Sequence, residues 1–378
     1  MCAFKQLGIR YQHSLPLLDT TQLLLQGLPR PGTEATVPLR DFVEWVSIQN
    51  SRHNNFFAPK PRYRPYSLPS LSLFEPLLSH CLARWLLVDY KLNSYPYYDL
   101  NVVTMYTDFH QSLRITRSIV KFLKETAPDD LYQRINCFLV PLYDETKEIK
   151  IPDKKIRVIK HGALSANSSL FIEDPVYVLM INDVIRHLSH DYILKTDTLW
   201  KQCYVNIEQD STRSRRFDSQ MDYWCQLTYE LLKEPLTKSG LSDTYIPSRL
   251  VQLFFILKQC VPEHKLIAMD LSQSRKPSLL QAFKDLCGKG SSYQPSNVLG
   301  PNDILSATEP TTFVSDFSQV KHLYGVINDG MKVCQVESLN DFAKDWTDLE
   351  QSAKILGANH LEIQAGQLST SNITVLHG

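Results

Sequence analysis

This chain of 378 residues lacks several features, and each absence excludes a class of protein. Lysine plus arginine and aspartate plus glutamate are equal at 40 each, so the formal charge of zero gives no support to a general nucleic-acid or anionic-membrane surface. The longest apolar runs fall far short of the roughly 20 residues that span a bilayer, so we expect no transmembrane helix. The eight cysteines include no C-x-x-C pair and no clustered Cys/His set, and no metal site is predicted.

The first 18 residues are basic and contain no acid, which is typical of a mitochondrial targeting segment. They include Lys5 and Arg10, whereas the first acid is Asp19. The alternative is an ordinary N-terminal segment without a targeting role. It is left open because targeting segments are usually rich in serine, whereas this one contains only Ser14. We therefore predict a targeting role for residues 1–18.

Strand-like and helix-like segments alternate along the middle of the chain. The predicted strands are apolar runs bounded by turn residues, and the predicted helices carry apolar residues at spacings of three and four. Such interleaving favours a mostly parallel α/β sheet. The predicted strands cover 100–106, 135–142, 155–160, 176–181, 200–207 and 265–271, and the predicted helices cover 39–48, 71–90, 111–124, 219–232 and 247–260.

Six segments match one protein family in their order and spacing. They are VPLRDFVEWV (37–46), LFEPLLSHCLARWLL (73–87), DPVYVLMINDVIRHLSHDYI (174–193), WKQCYVNI (200–207), IPSRLVQLFFILKQCVPEHKLIAMDLS (246–272) and FVSDFSQVKHLY (313–324). Together they resemble the MidA-like mitochondrial methyltransferases, the protein-arginine methyltransferase family linked to respiratory complex I assembly. The match to the fungal branch of this family is closest in the fifth segment.

The resemblance implies an α/β fold, with a Rossmann-like class I methyltransferase sheet and helical N-terminal and C-terminal elaborations. It also implies S-adenosyl-L-methionine as cofactor, a mitochondrial protein as partner or substrate, and a location in the mitochondrial matrix. The implied division is a targeting segment 1–18, a helical region 37–95, a methyltransferase domain 96–275 with an inserted helical segment 208–262, and a C-terminal extension 276–378. The polar start of residues 366–378 predicts fraying at the end of this extension.

The cofactor turn of the family follows its first strand. Glycines in that turn let the backbone approach S-adenosyl-L-methionine without Cβ clashes. Residues 104–112 match the turn and contain no glycine. The resemblance therefore makes Tyr106, Thr107 and Asp108 the candidate cofactor-binding residues here, with Asn182 as a fourth candidate at the end of the strand 176–181.

A plain strand-to-helix turn is the alternative interpretation of the same residues. Phe109 and His110 would then fill space that the cofactor needs, and Asp108 or Ser112 would cap the following helix. The second strand of the family ends in an acid that binds the ribose hydroxyls, and Pro141 stands at about the matching position without a side-chain acceptor.

The resemblance makes Asp183 the candidate catalytic residue. A substrate guanidinium is always protonated, and a pair of carboxylates can orient it and assist proton removal. Asp183 matches the family's glutamate, but Arg186 replaces the second acid and His187 the neighbouring asparagine. Asp183 capping the following turn is the alternative, and Asp270 at the end of the strand 265–271 either serves the site or bonds its own loop.

Two further charged groups have simpler interpretations. Adjacent His190 and Asp191 suggest an acid–base dyad, but neighbouring residues rarely face each other and no nucleophile motif accompanies them. Arg213, Arg215 and Arg216 lie among acids and predict a solvated loop.

Two functional hypotheses follow from the sequence. In the first, the chain is a diverged family member, a pseudoenzyme whose cofactor site is degenerate and which acts as a protein-binding or respiratory-complex assembly factor. In the second, it is an active S-adenosyl-L-methionine-dependent methyltransferase that modifies arginine on a mitochondrial protein through an unusual glycine-free cofactor site.

Overall fold

The structure is a computed structural model, and it describes most of the chain after residue 33. The candidate residues Asn182 and Asp183 and the predicted targeting segment 1–18 lie outside the described residues. The described residues are 34–46, 75–143, 151, 153–165, 168, 170–181, 184–196, 199–208, 213–271, 313, 316–369 and 373–378.

The helices and strands follow one another in an alternating order. The strands are β1 Ala35–Pro38, β2 Leu100–Tyr106, β3 Ile135–Pro141, β4 Ile156–Val158, β5 Val176–Met180, β6 Asp191–Thr196, β7 Leu199–Ile207, β8 Arg213–Asp218, β9 Asp243–Ile246, β10 His264–Leu271, β11 Gln335–Ser338 and β12 Ile373–His377. The helices are α1 39–46, α2 Glu75–Asn93, α3 Phe109–Thr126, α4 Asp129–Gln133, α5 Tyr223–Ser239, α6 Ser248–Cys260, α7 Phe317–Ile327, α8 Leu339–Trp346, α9 Leu349–Leu356 and α10 Ala358–Ser369.

The larger sheet has seven strands in the order β11-β12-β10-β5-β2-β3-β4. The neighbours from β10 to β4 are parallel, whereas β12 runs antiparallel to both β10 and β11. Every residue of β2 and β5 is buried, as expected for parallel strands that are covered on both faces. The chain moves outward from β2 to β4 and then returns to add β5 on the other side, which creates a topological switch point between β2 and β5.

Helices cover both faces of this sheet. α2, α3 and α8 pack on one face and α5, α6 and α7 on the other, and each group buries its own apolar cluster against the strands. In α3 the buried residues Ile115, Ile119, Phe122 and Leu123 repeat at helical spacing, so a single stripe of the helix faces the sheet. The result is a three-layer α/β/α arrangement.

A smaller antiparallel sheet contains β1, β7, β6 and β9, with β8 also paired to β7. It is built from the N-terminal segment and from the chain between β5 and β10. A third apolar cluster joins it to α1 through Leu39, Phe42 and Val43, with Tyr192 and Val205 on the sheet side. The polar side of α1 also faces inward, toward the larger sheet and α6.

Most of the predicted elements are present, and three expectations need correction. The basic cluster predicted as a loop is strand β8, because Arg213 to Asp218 pair with β7. The inserted segment 208–262 contains β8 and β9 as well as the two expected helices. The expected frayed end contains β12, which pairs with strands on both sides. The domain boundaries themselves stay predictions, although β12 belongs to the same sheet as the strands of 96–275.

Candidate functional site

The carboxyl ends of β2, β3, β5 and β10 meet at one edge of the larger sheet, beside the switch point. In doubly wound sheets this is where ligands bind. Tyr106 and Pro141 are direct partners at the last pair of the β2–β3 ladder, so the register places Pro141 beside the turn after β2, at the end of the second strand.

Among the helices of the described residues, none combines the length and apolar composition that crossing a lipid bilayer requires.

The turn after β2 is filled by aromatic side chains. Tyr106 is 1% exposed within the apolar cluster beneath α2 and α3, and its ring meets the ring of Phe109 edge-on at 5.7 Å. The Asp108 carboxylate accepts a hydrogen bond from the Gln111 backbone at 3.1 Å and so caps α3. Thr107 is exposed. These three candidate residues therefore form a capped strand-to-helix turn.

The described residues of this turn do not fit a nucleoside cofactor that packs against backbone. The turn has no glycine, so each residue brings a Cβ, and the Tyr106 side chain belongs to the apolar core. The carbonyl of Tyr106 accepts a hydrogen bond from the Leu142 backbone at 3.1 Å, which ties the ends of β2 and β3 together. Pro141 offers no acceptor for a ribose hydroxyl, and the described residues therefore supply neither the glycines nor the acid of a nucleotide site.

An internal ion pair joins the ends of β5 and β10. The Arg186 backbone donates to Asp270 Oδ2 at 2.9 Å, and Arg186 Nε lies 3.7 Å from Asp270 Oδ1. Both side chains are buried, and the Leu271 backbone donates to the same carboxylate at 2.7 Å. The carbonyl of Arg186 accepts a hydrogen bond from Phe313 at 2.8 Å. Asp270 thus binds its own loop, as one alternative predicts, and also binds an arginine of the chain.

His190 and Asp191 do not form an acid–base dyad. The His190 ring stacks on Phe313 at 4.3 Å, and its Nδ1 lies 3.0 Å from the Leu188 carbonyl oxygen. Burial lowers the pKa of His190 to about 4, although the contact with that carbonyl opposes the shift. Asp191 instead faces Arg40 on α1, so the two side chains serve different parts of the structure.

A buried polar network lies behind the smaller sheet, and it was not predicted from the sequence. Arg40 donates to both oxygens of Asp222, at 2.9 Å each, and also contacts Asp191. Gln202 bridges the two carboxylates. Desolvation disfavours the charge of Arg40, but the carboxylates around it outweigh this and raise its pKa. Asp222 also caps α5 by accepting from the Trp224 backbone at 3.0 Å.

The network continues through α6. Arg249 donates to Asp41 at 2.6 Å, to Glu44 at 2.6 and 2.9 Å, and to Gln252 at 2.5 Å. Tyr143 lies two residues after the end of β3, and its hydroxyl donates to the other oxygen of Glu44. The signal in the sequence is the order Leu-Arg-Asp-Phe-Val-Glu at 39–44, where charged and apolar residues alternate too closely for a one-sided helix.

A cavity of about 350 Å³ opens on the smaller sheet beside this network. Its lining includes several polar side chains, among them Asp222, the one partly exposed carboxylate of the network. Within the described ranges, no group of three or more His, Cys, Asp or Glu side chains is placed to hold a metal ion. The lining residues are Thr36, Tyr204, Arg216, Asp218, Gln220, Met221 and Asp222.

Comparisons with known proteins agree on one family. A family model for S-adenosyl-L-methionine-dependent methyltransferases matches residues 81–327. The chain is 33% identical over 396 aligned positions to the protein arginine methyltransferase NDUFAF7 homolog, mitochondrial, of Saccharomyces cerevisiae, and the alignment covers 98% of each chain. That relative confirms the mitochondrial location predicted from the sequence.

Two crystal structures of proteins from Burkholderia thailandensis share the fold. One has a TM-score of 0.54 at 11% identity, and the other, bound to S-adenosyl-homocysteine, has a TM-score of 0.53 at 12% identity. Each comparison covers 96% of this chain and 92% of the bacterial chain. The predicted Rossmann-like methyltransferase fold is therefore confirmed. With the matched model and the full-length yeast relative, the chain belongs to the MidA-like mitochondrial family of S-adenosyl-L-methionine-dependent methyltransferases.

Proposed function

We propose that this chain is a diverged member of its family that acts as a mitochondrial protein-binding factor, of the kind that assists assembly of a respiratory complex. The observation that carries the proposal is the closed turn after β2. Tyr106 is packed in the core and the partly buried Phe109 lies against it, so a nucleoside would have to displace a buried aromatic ring and its neighbour. Displacing a buried aromatic side chain costs several kcal/mol, about 3–5 by analogy with its removal.

A second observation supports the proposal at the substrate side. A substrate guanidinium carries a permanent positive charge and needs a carboxylate that is free to bind it. Asp270 already binds the backbone and guanidinium of Arg186, and a second positive charge there would be repelled. The family fold is retained, whereas cofactor binding and binding of a substrate guanidinium are both hindered. This combination favours a function in which the chain binds other proteins.

Isothermal titration with S-adenosyl-L-methionine tests the proposal. We expect no saturable heat with this chain at millimolar ligand, because the turn offers no cradle for the nucleoside. The Burkholderia thailandensis protein whose structure holds S-adenosyl-homocysteine serves as the positive control under the same conditions. Micromolar saturable binding to this chain would contradict the proposal.

The second candidate function is an active protein-arginine methyltransferase. It is favoured by the 33% identity to a yeast relative that carries this activity in its name. An active enzyme would transfer label from radioactive S-adenosyl-L-methionine to an arginine of a mitochondrial extract. Incorporation that depends on this chain and is lost on its removal would select this function over the first.

A further inference from the structure

Helix α1 is buried on all sides, which is unusual for a helix that carries so many charges. A helix at a protein surface buries one apolar stripe and leaves its charged side in water. Here the apolar side packs on the smaller sheet, and the charged side packs on α6 and the end of β3. Six consecutive residues are at most 5% exposed: Leu39, Arg40, Asp41, Phe42, Val43 and Glu44.

The charges of the network around α1 do not balance. Its cations are two guanidiniums, whereas its anions are four carboxylates. Burying an uncompensated charge is expensive, and a carboxyl group avoids the expense by keeping its proton. The cations are Arg40 and Arg249, and the carboxylates are Asp41, Glu44, Asp191 and Asp222.

The hydrogen bonds single out one of the four carboxyl groups. Glu44, Asp191 and Asp222 each use both oxygens as acceptors. Asp41 accepts from Arg249 through Oδ1, which also lies 3.4 Å from Arg40 Nε, but its Oδ2 is buried and has no hydrogen-bond partner among the described residues. Burying this oxygen without a partner costs much less desolvation free energy if the group is a neutral acid than if it is a carboxylate.

We propose that Asp41 is held as its neutral acid, and that the attachment of the segment 35–46 to the two sheets therefore weakens as the solution becomes more alkaline. The groups that face Asp41 are Arg40 and Glu44 on α1, Arg249 on α6, Asp222 at the start of α5, and Tyr143 after β3. The segment 35–46 contacts Tyr143, two residues after the end of β3, so its release frees the Tyr143 hydroxyl at the carboxyl edge of the larger sheet. Alkaline solution would thus weaken a contact between α1 and this edge.

The direction of the pH effect follows from linkage. Burial raises the pKa of Asp41, and Glu44 and Asp222 add to the rise, while Arg40 and Arg249 oppose it. A carboxyl group with a raised pKa binds its proton more tightly in the folded state than in the released state. The attached state therefore loses stability as the pH rises from the ordinary aspartate pKa to the raised one, and it loses no more beyond that value.

Hydrogen exchange of the backbone amides of 35–46 measures the attachment in the full chain. After correction for the intrinsic exchange rate, we expect the opening constant to rise by up to about tenfold per pH unit within the titration window. Asp41→Asn carries an uncharged amide in place of the acid, so its opening constant should depend less on pH than that of the natural chain. The dependence that remains belongs to other groups that contact α1, such as Asp191, whose pKa is also raised by burial. An equal pH dependence in Asp41→Asn and the natural chain, between about pH 5 and 9, would overturn the proposal.

Glu44→Gln is the matched control on the same helix turn. Glu44 accepts hydrogen bonds from Arg249 and Tyr143, so its substitution should increase opening at every pH. Because Glu44 adds to the raised pKa of Asp41, the pH dependence should persist in this variant but lie at lower pH. If Asp41→Asn does not fold, infrared spectroscopy of the natural chain decides the question, because a protonated carboxyl group has its own carbonyl band. Absence of that band at neutral pH would overturn the proposal.

Discussion

At the carboxyl edge of the larger sheet, Tyr106 and Arg186 make buried contacts within the protein. Tyr106 fills the base of the first strand-to-helix turn, and Arg186 binds the Asp270 carboxylate. The sequence predicts both contacts from residue type. A turn without glycine leaves less room for a ligand, and an arginine in place of an acid reverses the local charge. The same edge also contains Gly162, whose position leaves no room for a Cβ.

Gly162 is the residue-scale test of packing at this edge. A Cβ on Gly162 would lie 2.6 Å from the Leu142 carbonyl oxygen and from backbone atoms of Tyr143, which is closer than nonbonded atoms approach. We expect Gly162→Ala to lower the free energy of unfolding by about 1–3 kcal/mol, because the ends of two backbone segments must separate. Denaturation in urea measures the difference.

Gly325→Ala is the control for this prediction. Gly325 lies in α7 and has nothing within 4 Å of its Cβ position. Alanine there should leave stability unchanged or raise it by about 0.5–1 kcal/mol, since glycine in a helix loses more backbone entropy than alanine. Equal destabilisation by both substitutions would show that the close approach at Gly162 is not the cause.

At the scale of elements, α6 serves two purposes at once. Its apolar side covers the larger sheet with Leu250, Leu253 and Leu257, and its first turn directs Arg249 into the polar network. The helix therefore connects α1 to the central core. Such a connection through buried charges depends strongly on both partners being present.

Arg249→Met tests this connection. The substitution keeps a long apolar stem but removes the guanidinium that donates to both Asp41 and Glu44, so two buried groups lose hydrogen bonds and we expect a loss of about 3–5 kcal/mol in the free energy of unfolding. Chemical denaturation of the variant and the natural chain gives the value. A loss below about 1 kcal/mol would mean that the network is not a stabilising connection.

The matched control is Lys258→Met on the same helix. Lys258 pairs with Asp329 at 2.6 Å, but both side chains are substantially exposed. Exposed pairs contribute about 0–1 kcal/mol, because water screens the charges and the long side chains lose freedom. The two substitutions remove one basic residue each, and the difference between them reports burial.

At the scale of the whole molecule, the end of the chain is part of the central core. β12 lies between β10 and β11, and Val375 and Leu376 belong to the apolar clusters on opposite faces of the sheet. β11 and β12 therefore complete a sheet whose first strand in the chain begins at Leu100. The C-terminal extension and the methyltransferase sheet share one set of backbone hydrogen bonds.

Val375→Asp tests this dependence. Val375 is fully buried, so a carboxylate there is left without a partner in an apolar core, and we expect loss of cooperative unfolding or of the folded state. Circular dichroism during thermal unfolding shows the change. Val333→Asp is the control, because Val333 is 81% exposed and the same substitution should have little effect. Similar behaviour of the two variants would contradict the structure of β12.

Prediction from the sequence succeeds for local features of this protein. The strands 100–106 and 176–180 are apolar runs, the stripe of α3 repeats at helical spacing, and the absence of glycine after the first strand can be read directly. β8 and β12 are missed because polar residues dominate β8 and a glycine, serine and threonine tail precedes β12. Their pairing energy comes from partners that lie elsewhere in the chain.

The amino-acid sequence by itself determined the family, the alternation of strands and helices, and the loss of the glycines, since each of these depends on neighbouring residues. Tertiary structure decided which charges meet. Arg40 reaches Asp191 and Asp222, and Arg249 reaches Asp41 and Glu44, across separations of 151 to 208 residues. The physical reason is that a buried ion pair is stable only where the folded chain both excludes water and brings opposite charges into contact, and no local pattern encodes that meeting.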